Sequence, residues 1–213
     1  MFAQLTGDDA SVAMGEGRSP AALPAGDVLI HCGDWQADGA ARRHGSTALD
    51  AWLAAQPHPH KLVVRGNHDA MYARFDESRA TYVSNRKDVR VCGLDIAVAP
   101  YSRARRSPPL PRCDVLVSHV PPKGVLDKCT SGDRAGSRAL LDAVSLAPQP
   151  PRLWLCGHVH EARGARYLRL GRPRGASRRP RGTLVVNAAN ANSGRATHLC
   201  HPPYVIDVDL GGV

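Results

Sequence analysis

Aromatic side chains are scarce, at 5% of the 213 residues. A surface that stacks nucleobases needs several of them close together, so the formal net charge of +9 does not by itself make a nucleic-acid-binding protein. Much of that charge is local. Arg103, Arg105 and Arg106 form one cluster, and Arg172, Arg174, Arg178, Arg179 and Arg181 form another; such runs are usually solvated loops. No apolar run approaches the ~18 residues of a membrane-spanning helix. Met1 to Ser11 include Asp8 and Asp9 and lack the basic-then-apolar order of a secretory signal. The cysteines, Cys32, Cys92, Cys113, Cys129, Cys156 and Cys200, show neither a CxxC pair nor regular spacing, which argues against a disulfide framework and for a reducing compartment. These absences lead to the expectation of a soluble cytoplasmic protein. Its 22.8 kDa suits one domain with a sizeable core.

What is present is a repeated plan. Lys61-Leu62-Val63-Val64-Arg65-Gly66-Asn67-His68-Asp69 is an apolar run too short for a helix, stopped by a glycine and followed by an amide, an imidazole and a carboxylate. It reads as a buried strand with its polar groups at the carboxyl end, the edge where open α/β sheets bind ligands. Three more stretches follow the plan: Asp27 to Asp34, Asp114 to His119, and Leu153 to His160. Four strands ending in Asp, Asn-His, His and His-x-His point to one rim able to hold hard or borderline metal ions through O and N atoms.

The order Gly33-Asp34, Gly66-Asn67-His68-Asp69, His119 ahead of Pro121-Pro122, and Gly157-His158-Val159-His160 resembles the calcineurin-like metallophosphoesterases. The resemblance runs from about Gly26 to Asp209. It is closest to the small branch associated with cyclic-nucleotide phosphodiesterase activity, through His119-Val120-Pro121-Pro122-Lys123-Gly124, Gly157-His158-Val159-His160-Glu161 and Val186-Asn187-Ala188. It implies an α/β fold, a four-layer αββα sandwich, and two divalent ions of the Mn, Fe, Zn or Mg group. A hydroxide bridging them would attack the phosphorus of a small phosphodiester, cyclic nucleotides among the candidates. By the resemblance Asp34 bridges the ions, Asn67, His119 and His158 complete metal two, and His160 serves metal one. His68 would protonate the leaving alkoxide or stabilise the transferring phosphoryl group, with Asp69 orienting and acidifying it. His158 and His160, two apart in an extended segment, would share a face.

One departure from the family stands out. The Asp-x-His that closes its first strand is missing; Asp8 or Asp9 is the candidate replacement, with Ala10 where a histidine is expected. Metal one then keeps only Asp34 and His160. The open readings are a phosphodiesterase of reduced activity, a catalytically impaired metal- or nucleotide-binding regulatory protein, and a phosphomonoesterase or protein phosphatase. A truncated product, whose reading frame carries Asp-x-His upstream of Met1, would also fit, and the first edge strand would then be absent.

The remaining chain divides into a poorly readable segment 1–26 and a single domain 27–213. Spacing predicts helices over Ser46 to Ala55, with Trp52 inward after a Ser46/Thr47 cap, and over Ser137 to Val144. Val89 to Val98 read as a hairpin which, with the late strands, supplies the second sheet. Pro57-His58-Pro59-His60 ends a helix on the amino-terminal side of the next strand, so its histidines are poor ligands. Ala70 to Asp88 read as irregular. The basic loop Ala99 to Arg112 reads as a connector in preference to a cover over the site. Residues 163–182 read as an Arg-rich insertion, and Asn187 as support for the histidine-bearing strand.

Overall fold

Alternation along the apolar strands sorts their side chains onto two faces, and both faces are buried. The computed structural model describes residues 2–5, 23–35, 47–170, 182–191 and 201–209. With strands numbered in chain order, the first sheet runs β11 (Tyr204–Ile206), β1 (Phe2–Leu5), β2 (Val28–His31), β3 (His60–Val64), β4 (Thr81–Val83). Strands β1 to β4 are parallel, and β11 is antiparallel to β1. The second sheet runs β5 (Lys87–Val91), β6 (Leu94–Ala99), β7 (Val115–Ser118), β8 (Leu153–Cys156), β10 (Thr183–Asn187), β9 (Gly164–Leu168). Its four inner strands are parallel and its two edges antiparallel.

Between the sheets lie Val28, Ile30, Leu62 and Val64 from the first and Ile96, Val98, Val115, Val117, Leu153 and Leu155 from the second. Alternate residues face outward. Leu29 and Val63 pack under Leu49, Trp52 and Leu53 of α1 (Thr47–Ala54). Leu116, Trp154 and Val185 pack under Leu140 and Val144 of α2 (Arg138–Ser145). The result is the expected four-layer αββα sandwich. Each buried aliphatic side chain contributes roughly 1.5–3 kcal/mol, and a one-residue slip would exchange the two faces of a strand, so the register of these strands is firmly set. Trp52 points inward as its spacing predicts, and the Ser137 hydroxyl accepts the Leu140 N–H (3.2 Å), capping α2.

Some expectations need correction. The first-strand position is filled: Phe2–Leu5 lie inside the sheet, not at its edge. The last strand, β11, joins the first sheet, and the second takes in β7 and β8, whose carboxyl ends lead to His119 and His158. The irregular stretch contains β4, and the Arg-rich segment opens with β9, which pairs with β10 from Leu168↔Thr183 to Gly164↔Asn187. Asp8, Asp9, Ala10, Ser46, residues 171–181 and Cys200 lie outside the described residues. Among the described residues, no helix is long and apolar enough to cross a membrane.

Candidate metal centre

Two turns at the carboxyl ends of β2 and β3 meet almost backbone to backbone. Gly33 has φ +100°, and a Cβ there would lie 2.6 Å from Gly66 N and 2.8 Å from His119 Nδ1. A Cβ on Gly66 would collide with the Asp34 carboxylate and backbone nitrogen. Both positions therefore demand glycine, which is what the sequence places ahead of each polar group. Asp34 (φ 59°) and His158 (φ 71°) are in the left-handed region. That conformation costs a non-glycine residue roughly 1–3 kcal/mol, so the surrounding packing must hold both side chains on the rim.

Among the described residues, four donors converge there, two from each sheet. His119 Nε2 lies 2.8 Å from Asn67 Oδ1, 3.1 Å from Asp34 Oδ2 and 3.1 Å from His158 Nδ1. His158 Nδ1 is 3.9 Å from Asp34 Oδ2. The other His119 nitrogen, Nδ1, is 2.8 Å from the Cys32 carbonyl, which can only accept. Nδ1 thus carries the proton in neutral His119, and the Nε2 lone pair faces the other donors, the orientation a metal-ligating imidazole requires. Behind it, Trp154 Nε1 donates to Ser118 Oγ (2.7 Å), which donates to the Val120 carbonyl (2.7 Å), pinning both neighbours of His119. The Tyr101 ring packs on His119 and His158, with centroids 5.9 and 6.2 Å away.

Electrostatics favour a cation at this point. Burial alone would raise the Asp34 carboxyl, but His119, His158 and the His68 N–H hold it far below the ordinary carboxylate range. Burial pushes His119 down, yet the Asp34 charge and hydrogen bond and the Cys32 carbonyl bring it above its ordinary value. The field that attracts a proton to Nε2 attracts any other cation. Burial lowers His158 below its ordinary value, leaving its Nδ1 lone pair available.

Asp34, His119 and His158 form a metal-capable cluster among the described residues, with Asn67 beside them. His68 is exposed; its backbone N–H donates to Asp34 Oδ1 (3.0 Å). His160 stands outside the cluster, and the extended geometry expected for Gly157 to His160 is not what forms. β8 stops at Cys156, His158 turns left-handed, and His160 opens a 3-10 turn ending at Ala162. Asp69 acts on the backbone: Oδ2 accepts the N–H of Asp34 (2.8 Å) and of Gly66 (2.6 Å), and Oδ1 accepts that of Trp35 (2.8 Å). Burial and the neighbouring Asp34 charge push its carboxyl up to about 6, against the pull of those amides. It braces the two turns. Asn187 supports the rim as expected, donating to the carbonyls of Val159 (2.8 Å) and Leu126 (3.2 Å).

Other residues at the site were not singled out from sequence. His31, at the end of β2, is buried, and burial lowers its imidazole to about 4; its Nδ1 accepts the Gly33 N–H (3.1 Å). Its position two residues before Gly33 was the available signal. Tyr101 sits in the loop read as a connector, and nothing in its local sequence marks it.

The calcineurin-like phosphoesterase family model matches residues 13–162. The chain belongs to that family. A UPF0046 protein of Caenorhabditis elegans is 29% identical over 81% of this chain and 65% of its own length. Metallophosphoesterase domain-containing protein 1 of Homo sapiens and of Mus musculus is 27% identical over 68% of this chain and 57% of its own length. The chain spans less than two thirds of these relatives. A solved protein of unknown function from Aquifex aeolicus aligns over 75% of this chain and 79% of its own, with a TM-score of 0.39 and 19% identity. For a calcineurin-like phosphoesterase the family implies metal-dependent phosphoester hydrolysis, and the donor set fits a divalent cation. A carboxylate, an amide oxygen and two imidazole nitrogens aimed at one point suit Mn, Fe or Zn.

Proposed function

We propose that the protein hydrolyses phosphodiesters of small molecules, cyclic nucleotides among them, with Asp34, Asn67, His119 and His158 holding a divalent cation. The observation that carries the reading is the convergence of these donors with the His119 tautomer fixed by the Cys32 carbonyl. A bound cation supplies Lewis acidity toward a phosphoryl oxygen and lowers the pKa of water. The chain supplies the rest. The Asp69 brace and the two close-packed glycines fix Asp34, and Tyr101 walls one side of the histidines. His68, exposed beside Asn67, gives its proton to the departing alkoxide.

A second reading has its own support. His160 is outside the Asp34–His119–His158 cluster, so the described residues assemble donors for one ion. A protein that binds a metal or nucleotide without turnover would need no more. Hydrolysis of bis-p-nitrophenyl phosphate, titrated with Mn²⁺ in the parent and in His68→Ala, separates the two. Manganese-dependent turnover that collapses in the variant supports the enzyme. Stoichiometric metal binding with no turnover at any concentration would leave the binding reading standing and the enzymatic one refuted.

A further inference from the structure

A cavity of about 510 Å³ adjoins the metal-ligating donors, and the proposed hydrolysis makes no use of it. It shares Tyr101 with the donor cluster and is also bordered by Val120, the residue after His119, and Arg65, the residue before Gly66. Among the described residues, four arginines, Arg65, Arg86, Arg103 and Arg106, line it, and no Asp or Glu does. Two of the four are tied to the protein by neutral acceptors. Arg65 donates to the carbonyls of Tyr101 (2.5 Å), Gly66 (3.3 Å) and Ser84 (3.4 Å). Arg86 donates to Ser107 Oγ (2.9 Å) and to the carbonyls of Pro108 (2.8 Å) and Pro109 (3.0 Å). Such bonds fix a guanidinium without cancelling its charge. Arg103 and Arg106 add theirs from the exposed side of the same loop. A concave wall with one sign of charge concentrates the opposite sign, and arginine is matched to phosphate by its planar fork of donors.

A simple cyclic nucleotide has one phosphate, and that phosphate belongs at the metal donors. It leaves unused the four arginines that line the cavity among the described residues. We propose that this cavity binds a second phosphate group on the substrate, so that the preferred substrate is a phosphoester carrying an additional phosphate beside the scissile one. The inference rests on the proposed hydrolytic reading for the placement of the first phosphate. The loop 99–112, expected to be a connector, is then the element that selects substrate.

The test is calorimetric titration of the full-length, Mn²⁺-loaded protein with adenosine 3′,5′-bisphosphate and with adenosine 5′-monophosphate. Charge-assisted bonds to a second phosphate predict that the bisphosphate binds at least about tenfold more tightly. That preference should shrink at high salt and fall below about threefold in the double variant Arg103→Ser/Arg106→Ser or in Arg86→Gln. Arg103 and Arg106 are exposed, so their replacement leaves the fold intact; Arg86→Gln probes the fixed part of the wall. Equal affinities in the parent, or an unchanged preference in both variants, overturn the proposal. Binding is read without turnover, so absent hydrolysis of bis-p-nitrophenyl phosphate would sink the enzymatic reading alone. Intact hydrolysis with no bisphosphate preference would sink this inference alone.

Discussion

Replacing Asp69 decides between two roles for a carboxylate that sits next to His68 in sequence. In the structure its oxygens accept three buried backbone amides, those of Asp34, Trp35 and Gly66. Asp69→Ala orphans all three. At about 1–3 kcal/mol per unsatisfied buried donor, with incomplete additivity, the loss is about 3–6 kcal/mol, a large share of the roughly 5–15 kcal/mol that a domain has in total. Asp69→Asn is gentler. Its amide oxygen can still take the Asp34 and Gly66 donors, while its NH₂ faces the Trp35 N–H, orphaning that one. Removing a charge that burial and Asp34 both disfavour offsets part of the cost, so about 1–2 kcal/mol remains. Equilibrium urea unfolding of the metal-free variants, followed by tryptophan fluorescence, should give the order parent, Asn, Ala. If both variants unfold at the parent's urea concentration while hydrolysis collapses as it does in His68→Ala, Asp69 is a chemical partner of His68 and the brace argument is wrong.

Gly66→Ala should expel the Asp34 carboxylate, whose space the new methyl occupies; metal binding is lost and stability falls by about 1–3 kcal/mol, measured by metal titration and thermal unfolding. Asn67→Ala removes a neutral oxygen 2.8 Å from His119 Nε2 and should weaken Mn²⁺ binding by at least about tenfold; metal content unchanged after dialysis would refute its place among the ligands. Thiol reactivity should follow burial, because the thiolate is the nucleophile. Exposed Cys92 reacts with iodoacetamide first at pH 8. Burial pushes Cys113 up to about 11, so its alkylation climbs about tenfold per pH unit between pH 8 and 10. Peptide mass mapping that finds Cys113 as fast as Cys92 at pH 8 would contradict its buried position.

Much of this was legible in the chain itself, because the strands that lead to Asp34, Asn67, His119 and His158 are continuous apolar runs closed by glycine or polar residues. Leu62-Val63-Val64 and Leu153-Trp154-Leu155 show both the buried strand and the edge where chemistry gathers. Shorter or mixed strands leave no such trace. Thr81-Tyr82-Val83 is three residues long, and β9 hides within an arginine-rich stretch because its pairing to β10, not its composition, makes it a strand. The turn that replaces the extended segment before His160 has a local cause: two residues apart means one face only where the backbone is extended, and the left-handed turn at His158 ends that condition. The brace made by Asp69 was not legible, because sequence adjacency to His68 says nothing of the amides that arrive from the β2 turn. Tyr101 and the arginines of its loop are brought to the site by tertiary packing, which no local pattern encodes.

Strand β1 is hydrogen-bonded on one side to β2, which follows soon after it in the chain, and on the other to β11, with Phe2 opposite Ile206. During synthesis at about 5–20 residues per second, roughly 9–35 s separate the emergence of these two partners. Through that interval one margin of the first sheet has no mate from its own chain. A longer open margin is the better template for an extended peptide, so a nascent or C-terminally clipped molecule, whose edge is the four-residue β1, is more exposed to strand exchange than the finished protein, whose edge is the three-residue β11. The arrangement makes the yield of folded protein sensitive to translation rate and to chaperone supply, independently of how stable the completed sandwich is.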